Sequence, residues 1–495
     1  MICVSLGRRR HSALKQAHRD LSRLNPELVE LRVDWIMSRL NVARLLKKRP
    51  TPVVITCRRE QDKGRWSGTE EQRQAVLREA IIGGAEYVDI EEDIARSIPR
   101  YGDTKRLVSY HNFEDTPTDL SDIYQRMTEC DPDIIKIVTT ASRPADNVRV
   151  LELIKSATVP TVAFCMGELG MVSRILCGRM GSPLTYAAGS RAGEMAPGQL
   201  LWDDMRDFYR YDSISSDTKV FGVIGDPISH SLSPLLHNSA FREVDFDGVY
   251  LPLKIPADSV QETLQAYDKL DISGYSVTIP HKHAALEFAD LPSVQANLIG
   301  ASNTLFRTDG KWHATNTDYD AIVKTVEAGL TTFPEGSREV KGKQVLILGA
   351  GGVARAAVCA MQKNGAAVTI TNRTADRARA LNDEFGCSVI DWEQRSEEMC
   401  DILINCTSVG MHPNVSESPF DLPWLNESML VFDTVYTPEN TQLLEHAKTR
   451  GCATASGLEM FMRQAARQFE LFSGQQPPLE FMMETLRQSL STAPE

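Results

Sequence analysis

This sequence lacks several features that would mark particular protein classes. Its ten cysteines include no Cys-x-x-Cys pair and no zinc-ligand spacing, and no apolar run is long enough to span a bilayer. Acidic residues outnumber basic ones, and the net charge of -12 argues against a general nucleic-acid-binding protein. The N-terminus lacks a signal peptide's apolar core and a leader rich in Ser and Arg. We therefore expect a cytoplasmic globular protein with no membrane, no nucleic-acid partner and no metal.

A chain of 495 residues predicts about two to four domains. The first part alternates short β-rich runs with amphipathic helical segments such as 70–82 and 147–157. A small polar stretch at 213–218 then predicts a linker. The short basic run Arg8-Arg9-Arg10 is interpreted as a solvated loop and helix face. The strand candidates of the first part are Ile2–Gly7, Leu28–Trp35, Pro52–Arg58, Tyr87–Glu91, Arg106–His111, Ile134–Thr139, Thr161–Met166 and Thr185–Ala188.

Eight strand-helix units in about two hundred residues predict an α/β fold, a (β/α)8 TIM barrel. The active sites of such barrels lie at the carboxyl ends of the strands. Polar side chains that could do chemistry stand at or just after the strand candidates. They are Glu30, Arg32, Arg58, His111, Lys136 and Arg174. This coincidence predicts a catalytic site in the first domain.

Lys136 is a single ammonium set among apolar, β-forming residues. A lysine held against apolar walls loses hydration of its charged form, so a free amine becomes available to attack a ketone and form a Schiff base. The alternative is an edge-strand lysine whose charged end reaches water. Its place on the sixth strand, between His111 and Arg174, favours the catalytic interpretation.

The pattern restarts after the linker and contains a candidate dinucleotide site. The strand 344–349 runs into Gly349-Ala350-Gly351-Gly352-Val353-Ala354 and then a helix, which is the order of a Rossmann unit. The next strand ends in Asn372-Arg373-Thr374, with Arg377 one turn further on. An NAD site usually has a carboxylate there, whereas guanidinium groups suit a 2′-phosphate, so NADP is the predicted cofactor. The alternative is that both arginines only solvate a helix start.

A second group of polar residues lies in the same half. The turn around Ser231 and Ser233 offers hydroxyls that suit a carboxylate or polyol, or merely an N-cap before Pro234. Lys282 follows Pro280, and Asp318 follows a short strand. Ketone reduction needs an acid that protonates the carbonyl oxygen, and a lysine beside an aspartate could serve. From spacing alone, an ordinary surface ion pair remains the simpler interpretation.

With these residues identified, 1–212 resembles type I 3-dehydroquinate dehydratase. The resemblance rests on Glu30-Leu31-Arg32-Val33-Asp34, Thr56-Cys57-Arg58, Ser109-Tyr110-His111-Asn112-Phe113, Lys136, Val172-Ser173-Arg174 and Ala196-Pro197-Gly198-Gln199. It implies that Lys136 forms the imine and that His111 transfers protons. It further implies that the substrate carboxylate and hydroxyls are held by Glu30, Arg32, Arg58, Arg174 and Gln199.

Residues 219–495 resemble shikimate dehydrogenase. The resemblance rests on Ser231-Leu232-Ser233-Pro234, Val277 through Lys282, Ala301 through Thr304, Asn316-Thr317-Asp318, Gly349–Ala354, Asn372-Arg373-Thr374, Asn405 through Met411, Asp433 through Tyr436 and Gly457 through Gln464. It implies that Lys282 is the acid/base beside Asp318, in a shikimate site lined by Ser231, Ser233, Thr278, Asn303, Tyr436 and Gln464. The implied NADP site comprises Gly349, Ala350, Gly351, Gly352, Val353, Ala354, Asn372, Arg373, Thr374, Arg377, Thr407 and Met411.

The order of the two resemblances is similar to that of the fused plant-type enzyme. It implies a bifunctional enzyme of aromatic biosynthesis that dehydrates 3-dehydroquinate and reduces 3-dehydroshikimate with NADPH. The expected domains are the barrel at 1–212, the linker at 213–218, a shikimate-binding domain at 219–322 plus 456–495, and an NADP-binding Rossmann domain at 323–455. The partners are small molecules, and the oligomeric state stays open.

Three positions depart from the family patterns: Met195, Ser276 and Ala321. Met195 replaces a small residue over the first substrate, Ser276 an asparagine, and Ala321 a glycine, and none removes a group that does chemistry. Two rival functions are a catabolic quinate/shikimate dehydrogenase that prefers NAD, and a regulator built on the same domains. Arg373 argues against the first. The retained Lys136, His111, Lys282 and Asp318 argue against the second, as does the acidic charge.

Overall fold

The structure is a computed structural model that describes residues 1–190, 198–229, 231–333 and 339–492. The chain divides into two compact units. One comprises Met1–Val220, Asp247–Ile255 and Glu262–Ile272, and the other comprises Phe221–Phe246, Pro256–Gln261 and Ser273–Glu495. The finer domain boundaries expected from the sequence stay a prediction. No helix in the described ranges is long and apolar enough to cross a membrane.

Within the described residues, the first half contains eight strands and six α-helices. The strands are β1 (Ile2–Gly7), β2 (Leu28–Arg32), β3 (Val53–Thr56), β4 (Tyr87–Glu91), β5 (Lys105–His111), β6 (Ile134–Thr140), β7 (Thr161–Met166) and β8 (Thr185–Ala188). The helices are α1 (His11–Ser22), α2 (Val42–Leu46), α3 (Glu70–Ile82), α4 (Leu120–Thr128), α5 (Ala145–Ser156) and α6 (Met171–Leu176).

The eight strands form one parallel sheet in the order β7-β6-β5-β4-β3-β2-β1-β8, a nearly closed barrel. The predicted barrel is therefore confirmed. In the described residues, two connections of the barrel are not α-helical, because a 3-10 helix (Glu92–Ser97) joins β4 to β5 and a π-helical turn (Asp204–Phe208) follows β8. Two strands are shorter than expected, since β2 ends where the 3-10 turn Val33–Trp35 begins and Arg58 lies beyond β3.

Parallel pairing brings polar residues of different strands to the same level inside the barrel. Ser5 of β1 is in register with Glu30 of β2, and Ser109 of β5 with Lys136 of β6. Successive residues of a strand point to opposite faces. The apolar residues between them, such as Leu31 and Ile135, are buried. The strands thus present charged side chains inside a rigid, apolar frame.

The part of the second half that the structure describes contains ten α-helices and twelve strands, and the strands form two sheets. The strands are β9 (Lys219–Gly225), β10 (Gly248–Lys254), β11 (Ile272–Val277), β12 (Leu291–Pro292), β13 (Thr304–Thr308), β14 (Lys311–Thr315), β15 (Gln344–Leu348), β16 (Ala367–Thr371), β17 (Ser388–Val389), β18 (Ile402–Asn405), β19 (Leu430–Asp433) and β20 (Ala453–Ser456). The helices are α7 (Ser233–Glu243), α8 (Val260–Tyr267), α9 (Lys282–Phe288), α10 (Val294–Ile299), α11 (Thr317–Leu330), α12 (Gly352–Lys363), α13 (Ala375–Phe385), α14 (Gln442–Thr449), α15 (Gly457–Ser473) and α16 (Leu479–Thr492).

The two sheets have different topologies. The first has the order β10-β9-β11-β13-β14-β12 and includes antiparallel pairs. The second is parallel in the order β17-β16-β15-β18-β19-β20, which is the strand order of a dinucleotide-binding Rossmann fold. Its core includes Ala321 of α11, which is 2% exposed and packs as an ordinary core residue. The predicted two-lobed α/β architecture is therefore confirmed.

Candidate active sites

The barrel encloses a cavity of about 70 Å³ at the carboxyl ends of its strands. Every residue that the sequence predicted for the first site lines this cavity. They are Glu30, Arg32, Arg58, His111, Lys136, Arg174 and Gln199. Met195, one of the three departures from the family patterns, lies outside the described residues.

Lys136 is buried and lines this cavity, so its interpretation as an edge-strand surface lysine is wrong. Its Nζ donates to Asp89 Oδ2 at 3.1 Å and lies 4.0 Å from Glu30 Oε1. Nζ also lies 4.0 Å from the centre of the Tyr186 ring. The walls around Lys136 therefore include charged groups as well as the apolar residues that the sequence indicated. Two carboxylates and a ring face would also stabilise the cation that a lysine imine carries.

His111 ends β5 and stacks on Phe113, with ring centres 5.9 Å apart. Its pKa lies well below 6.5 because burial disfavours the imidazolium and because Arg58 and Lys136 add positive charge nearby. A neutral imidazole can accept a proton, which is the role of a general base.

This lowered pKa predicts the acid side of the pH profile for dehydration. The base form of His111 persists as pH falls through 6.5 and is lost only below its own lower pKa. For the dehydration that the resemblance implies, kcat reports groups of the substrate complex, in which Lys136 is already held as the imine. We therefore expect kcat to stay constant as the pH falls to 6.5. Far-UV circular dichroism of the same sample, measured at each pH, controls for acid unfolding of the barrel. An acid limb with its midpoint at or above pH 6.5 contradicts this prediction.

The three arginines of the cavity have different surroundings. Arg58 pairs with Asp89 at 2.8 Å and Glu91 at 2.7 Å, and Arg32 pairs with Asp34 at 2.9 Å. Arg174 lies over Phe164, with its guanidinium carbon 4.5 Å from the ring centre. Burial lowers the pKa of Arg174 to about 10. An anionic substrate group beside Arg174 would restore favourable interactions that burial removes.

The structure also places polar residues in this network that the sequence reasoning missed. Asp89 and Glu91 of β4 bind Arg58, and Ser109 Oγ donates to Asp89 Oδ1 at 2.6 Å. Arg58 and Lys136 hold the pKa of Asp89 far below its usual range, against the effect of burial. The available signal was the spacing of Asp89 and Glu91, since alternate residues on a strand face the same side.

The second unit contains a separate cavity of about 480 Å³. All the residues predicted for the second substrate site line it, together with Val353 and Met411 from the predicted cofactor set. These substrate-site and acid/base residues are Ser231, Ser233, Thr278, Lys282, Asn303, Asp318, Tyr436 and Gln464. Tyr436 stacks on Phe461, and burial raises its pKa, which favours the protonated hydroxyl.

Lys282 and Asp318 form an ion pair in this cavity, with Nζ and Oδ2 2.5 Å apart. Lys282 begins α9 and Asp318 lies in the first turn of α11, which Asn316 caps. Their side chains are only 14% and 8% exposed. The interpretation as an ordinary surface pair is therefore wrong. The carboxylate orients an ammonium that faces the cavity.

Gln468 lines the same cavity and was missed by the sequence reasoning. Its Nε2 donates to the carbonyl oxygen of Asn303 at 3.1 Å, and its Oε1 accepts from the Ser276 hydroxyl at 2.8 Å. The departure Ser276 thus has a defined hydrogen bond. The Asn303 side chain binds Thr317 at the start of α11. A spacing of four residues from Gln464 on α15 could have indicated Gln468, because such residues share a helix face.

The predicted glycine-rich turn connects β15 to α12. Gly349 has φ +107°, and a Cβ there would lie 2.8 Å from the carbonyl oxygen of Cys406, so only glycine fits. Gly352 begins α12, where backbone N–H groups and the helix dipole favour an anion. Ala354 is fully buried against the core, which allows α12 to pack closely on the sheet. These features fit a dinucleotide pyrophosphate.

The remaining residues of the predicted cofactor set follow neighbouring strands. Asn372 follows β16, and its side-chain amide donates to the carbonyl oxygen of Thr374. Arg373 and Arg377 are exposed, and neither pairs with a carboxylate in the described part of the chain. Thr407 Oγ1 donates to Asn405 Oδ1 after β18. The donor set therefore fits a phosphorylated ribose. Within the described ranges, no group of three or more His, Cys, Asp or Glu could hold a metal ion.

Comparisons with known families agree with both sites. The sequence model of type I 3-dehydroquinase matches residues 2–216. Models of the shikimate dehydrogenase substrate-binding domain, shikimate/quinate 5-dehydrogenase and the shikimate 5′-dehydrogenase C-terminal domain match residues 223–305, 333–433 and 457–487. The chain therefore contains the two predicted families in the predicted order.

One relative spans both halves. The chloroplastic bifunctional 3-dehydroquinate dehydratase/shikimate dehydrogenase of Arabidopsis thaliana is 40% identical over 92% of this chain and 79% of its own length. The chain belongs to this bifunctional family. Membership confirms the predicted function as a dehydratase and dehydrogenase of the shikimate pathway, and it rejects the silent regulator as the function.

Other relatives of this chain match only its second half. The NADP-dependent shikimate dehydrogenase of Caldanaerobacter subterraneus is 36% identical over 55% of this chain and 98% of its own length. A crystal structure of shikimate dehydrogenase with NADP+ has a TM-score of 0.52 and 34% identity over 56% of this chain and 96% of its own. NADP as the cofactor is thereby confirmed.

Proposed function

We propose that the two cavities perform the two reactions of the family with the residues identified above. Lys136 and His111 catalyse the dehydration of 3-dehydroquinate in the barrel, and Lys282 with Asp318 catalyses the reduction of 3-dehydroshikimate. The observation that supports this assignment is that each set, scattered along the sequence, lines a single cavity.

In the barrel, the Lys136 amine attacks the substrate ketone and water leaves as the imine forms. The positive imine nitrogen acidifies the adjacent carbon, and neutral His111 accepts the proton from it. The substrate hydroxyl then leaves as water with a proton from His111. Hydrolysis of the imine consumes one water and returns Lys136, so the net reaction loses one water.

The charged groups around Lys136 support this chemistry. Asp89 and Glu30 would stabilise the iminium cation, and Arg58 keeps Asp89 ionised. Ser5 and Thr56 donate to the two oxygens of Glu30 at 2.7 and 2.8 Å, which fixes that carboxylate. The site therefore needs little rearrangement as positive charge develops.

In the second cavity, bound NADPH supplies a hydride to the substrate ketone. The Lys282 ammonium donates a proton to the carbonyl oxygen, and Asp318 orients it. Ser231, Ser233 and Gln464 would hold the substrate carboxylate and hydroxyls. The Cδ of Lys282 would lie 3.4 Å from a Cβ at Gly352, so this lysine is next to the nucleotide loop.

One assay tests both activities together. Purified protein receives 3-dehydroquinate and NADPH, and the loss of NADPH absorbance is followed. We expect oxidation without any added dehydratase. The same mixture with quinate and NAD+ tests the catabolic alternative, for which we expect a much lower rate. No NADPH oxidation with 3-dehydroquinate, despite activity with 3-dehydroshikimate, would refute the dehydratase assignment.

The preference for NADP predicts the effect of removing Arg373. Arg373→Ala should raise KM for NADPH about tenfold or more while leaving KM for NADH within about twofold, because only NADPH carries the 2′-phosphate. Arg379→Ala on α13, the helix that follows Arg373, is a matched control, since Arg379 pairs with Asp376. Equal losses with both nucleotides would indicate that Arg373 has another role.

Two expectations remain predictions from the sequence. The cytoplasmic location is one, and the Arabidopsis relative is chloroplastic. The absence of membrane and nucleic-acid partners is the other. Cell fractionation with an antibody to the native chain would test the location.

A further inference from the structure

Lys63 lines the mouth of the barrel cavity, and the mechanism above gives it no task. It lies in the connection between β3 and α3, at the catalytic end of the barrel. Its backbone is left-handed, with φ +56° and ψ +24°, which is costly for a residue with a Cβ. Glycine would adopt this backbone conformation without that cost. Backbone preference therefore does not explain why a lysine occupies this position.

The loop that carries Lys63 is held firmly in place. Its neighbour Gly64 lies so close to the barrel that a Cβ would be 2.0 Å from the carbonyl oxygen of Arg58. The Trp66 N–H donates to that same oxygen at 3.2 Å. Between Gly64 and Trp66, the Arg65 N–H donates to Asp34 Oδ2 at 3.1 Å. The position of Lys63 beside the cavity is thus fixed by its neighbours.

The charge of Lys63 is not matched by the nearby acids. In the described residues, Lys63 forms no ion pair, and Asp62 and Asp93 are both bound by Arg59. The basic run Arg8-Arg9-Arg10 follows β1, so it stands at the same end of the barrel. It too forms no ion pair within the described ranges. Lys63 and this run thus add positive charge at the catalytic end of the barrel, beside Asp62, in a chain of net charge -12.

We propose that Lys63 is a further substrate-binding residue of the dehydratase, whose ammonium contacts the carboxylate of 3-dehydroquinate at the mouth of the barrel. The proposal rests on the proposed function of this cavity. An ammonium on a long, flexible stem can follow an anion from solvent to the cavity mouth. Positive charge at this end of the barrel also raises the encounter rate of an anionic substrate.

The test compares Lys63→Gly and Lys63→Ala with wild type in the full chain. Both variants should raise KM for 3-dehydroquinate about threefold to fivefold with kcat unchanged, as expected for a solvent-exposed ion pair. Lys63→Gly removes the charge, and glycine adopts the left-handed backbone without strain. This variant is therefore expected to fold. Lys63→Arg should restore KM to within about twofold of wild type. The difference between wild type and Lys63→Gly should shrink as salt is added.

Lys48 offers a matched control. It is exposed and left-handed at φ +57°, but it precedes β3 and so lies at the opposite end of the barrel. Lys48→Gly should leave KM unchanged. Equal KM values for wild type and both Lys63 variants would overturn the proposal, as would an equal rise in Lys48→Gly. A fall in kcat with constant KM would show a structural role instead. Failure of the proposed function is distinct, because wild type would then not dehydrate 3-dehydroquinate at all.

Discussion

Lys136→Met is expected to abolish dehydration and leave the reduction of 3-dehydroshikimate within about twofold of wild type. Methionine keeps the apolar stem beside Tyr186 but has no amine, so no imine can form. We expect a loss of at least about 10³-fold in kcat, in line with other enzymes that lose their nucleophile. Separate assays with 3-dehydroquinate and 3-dehydroshikimate measure the two activities in one sample.

A trapping experiment tests whether Lys136 itself forms the imine. Borohydride added with 3-dehydroquinate should reduce the imine and add mass to the peptide that contains Lys136. Lys155→Met, an exposed change at the end of α5, should retain both the activity and the added mass. Normal dehydration by Lys136→Met, or added mass at another lysine only, would refute the assignment.

Lys136→Met also removes one member of a buried charge network. Asp89 still pairs with Arg58 at 2.8 Å, so the remaining carboxylate is not left alone. This is why the variant is expected to fold, although losing a buried partner generally destabilises a protein. Retained reduction in the second unit alone would not establish that the barrel is folded. Circular dichroism and the thermal transition of the variant should therefore accompany the assays.

Lys282→Met is expected to produce the opposite separation. Reduction of 3-dehydroshikimate should fall about 10²–10⁴-fold in kcat, because the proton donor for the carbonyl oxygen is lost. Dehydration in the barrel should be unchanged. The substitution leaves Asp318 buried without its ammonium, so some loss of stability is also expected.

Lys324→Met is the matched control for this second prediction. Lys324 lies on α11, the helix that carries Asp318, but its side chain is exposed. That variant should keep both activities, and NADPH binding measured by fluorescence should be the same in wild type and Lys282→Met. Full reductase activity in Lys282→Met would remove this lysine from the mechanism.

Much of the architecture could be predicted from local patterns. The bounds of β1, β4, β7 and β8 agree with the sequence prediction, because short β-branched runs between turns are a local signal. The end of β2 was misplaced, since nothing local distinguishes Val33–Trp35 as a 3-10 turn from a longer strand. The connection after β4 was also misjudged, because a 3-10 turn and a helix share composition.

Local motifs in the sequence were sufficient to predict the two families, the order of the sites and the residue types that do the chemistry. Tertiary structure decided what surrounds each reactive group. Lys136 meets Asp89, 47 residues away in sequence, and Gln468 supports Asn303, 165 residues away. Separation along the chain carries no information about such contacts; strand register and helix packing bring them together. The charged surroundings of Lys136 and the placement of the Lys63 ammonium at the cavity mouth therefore depend on the folded barrel.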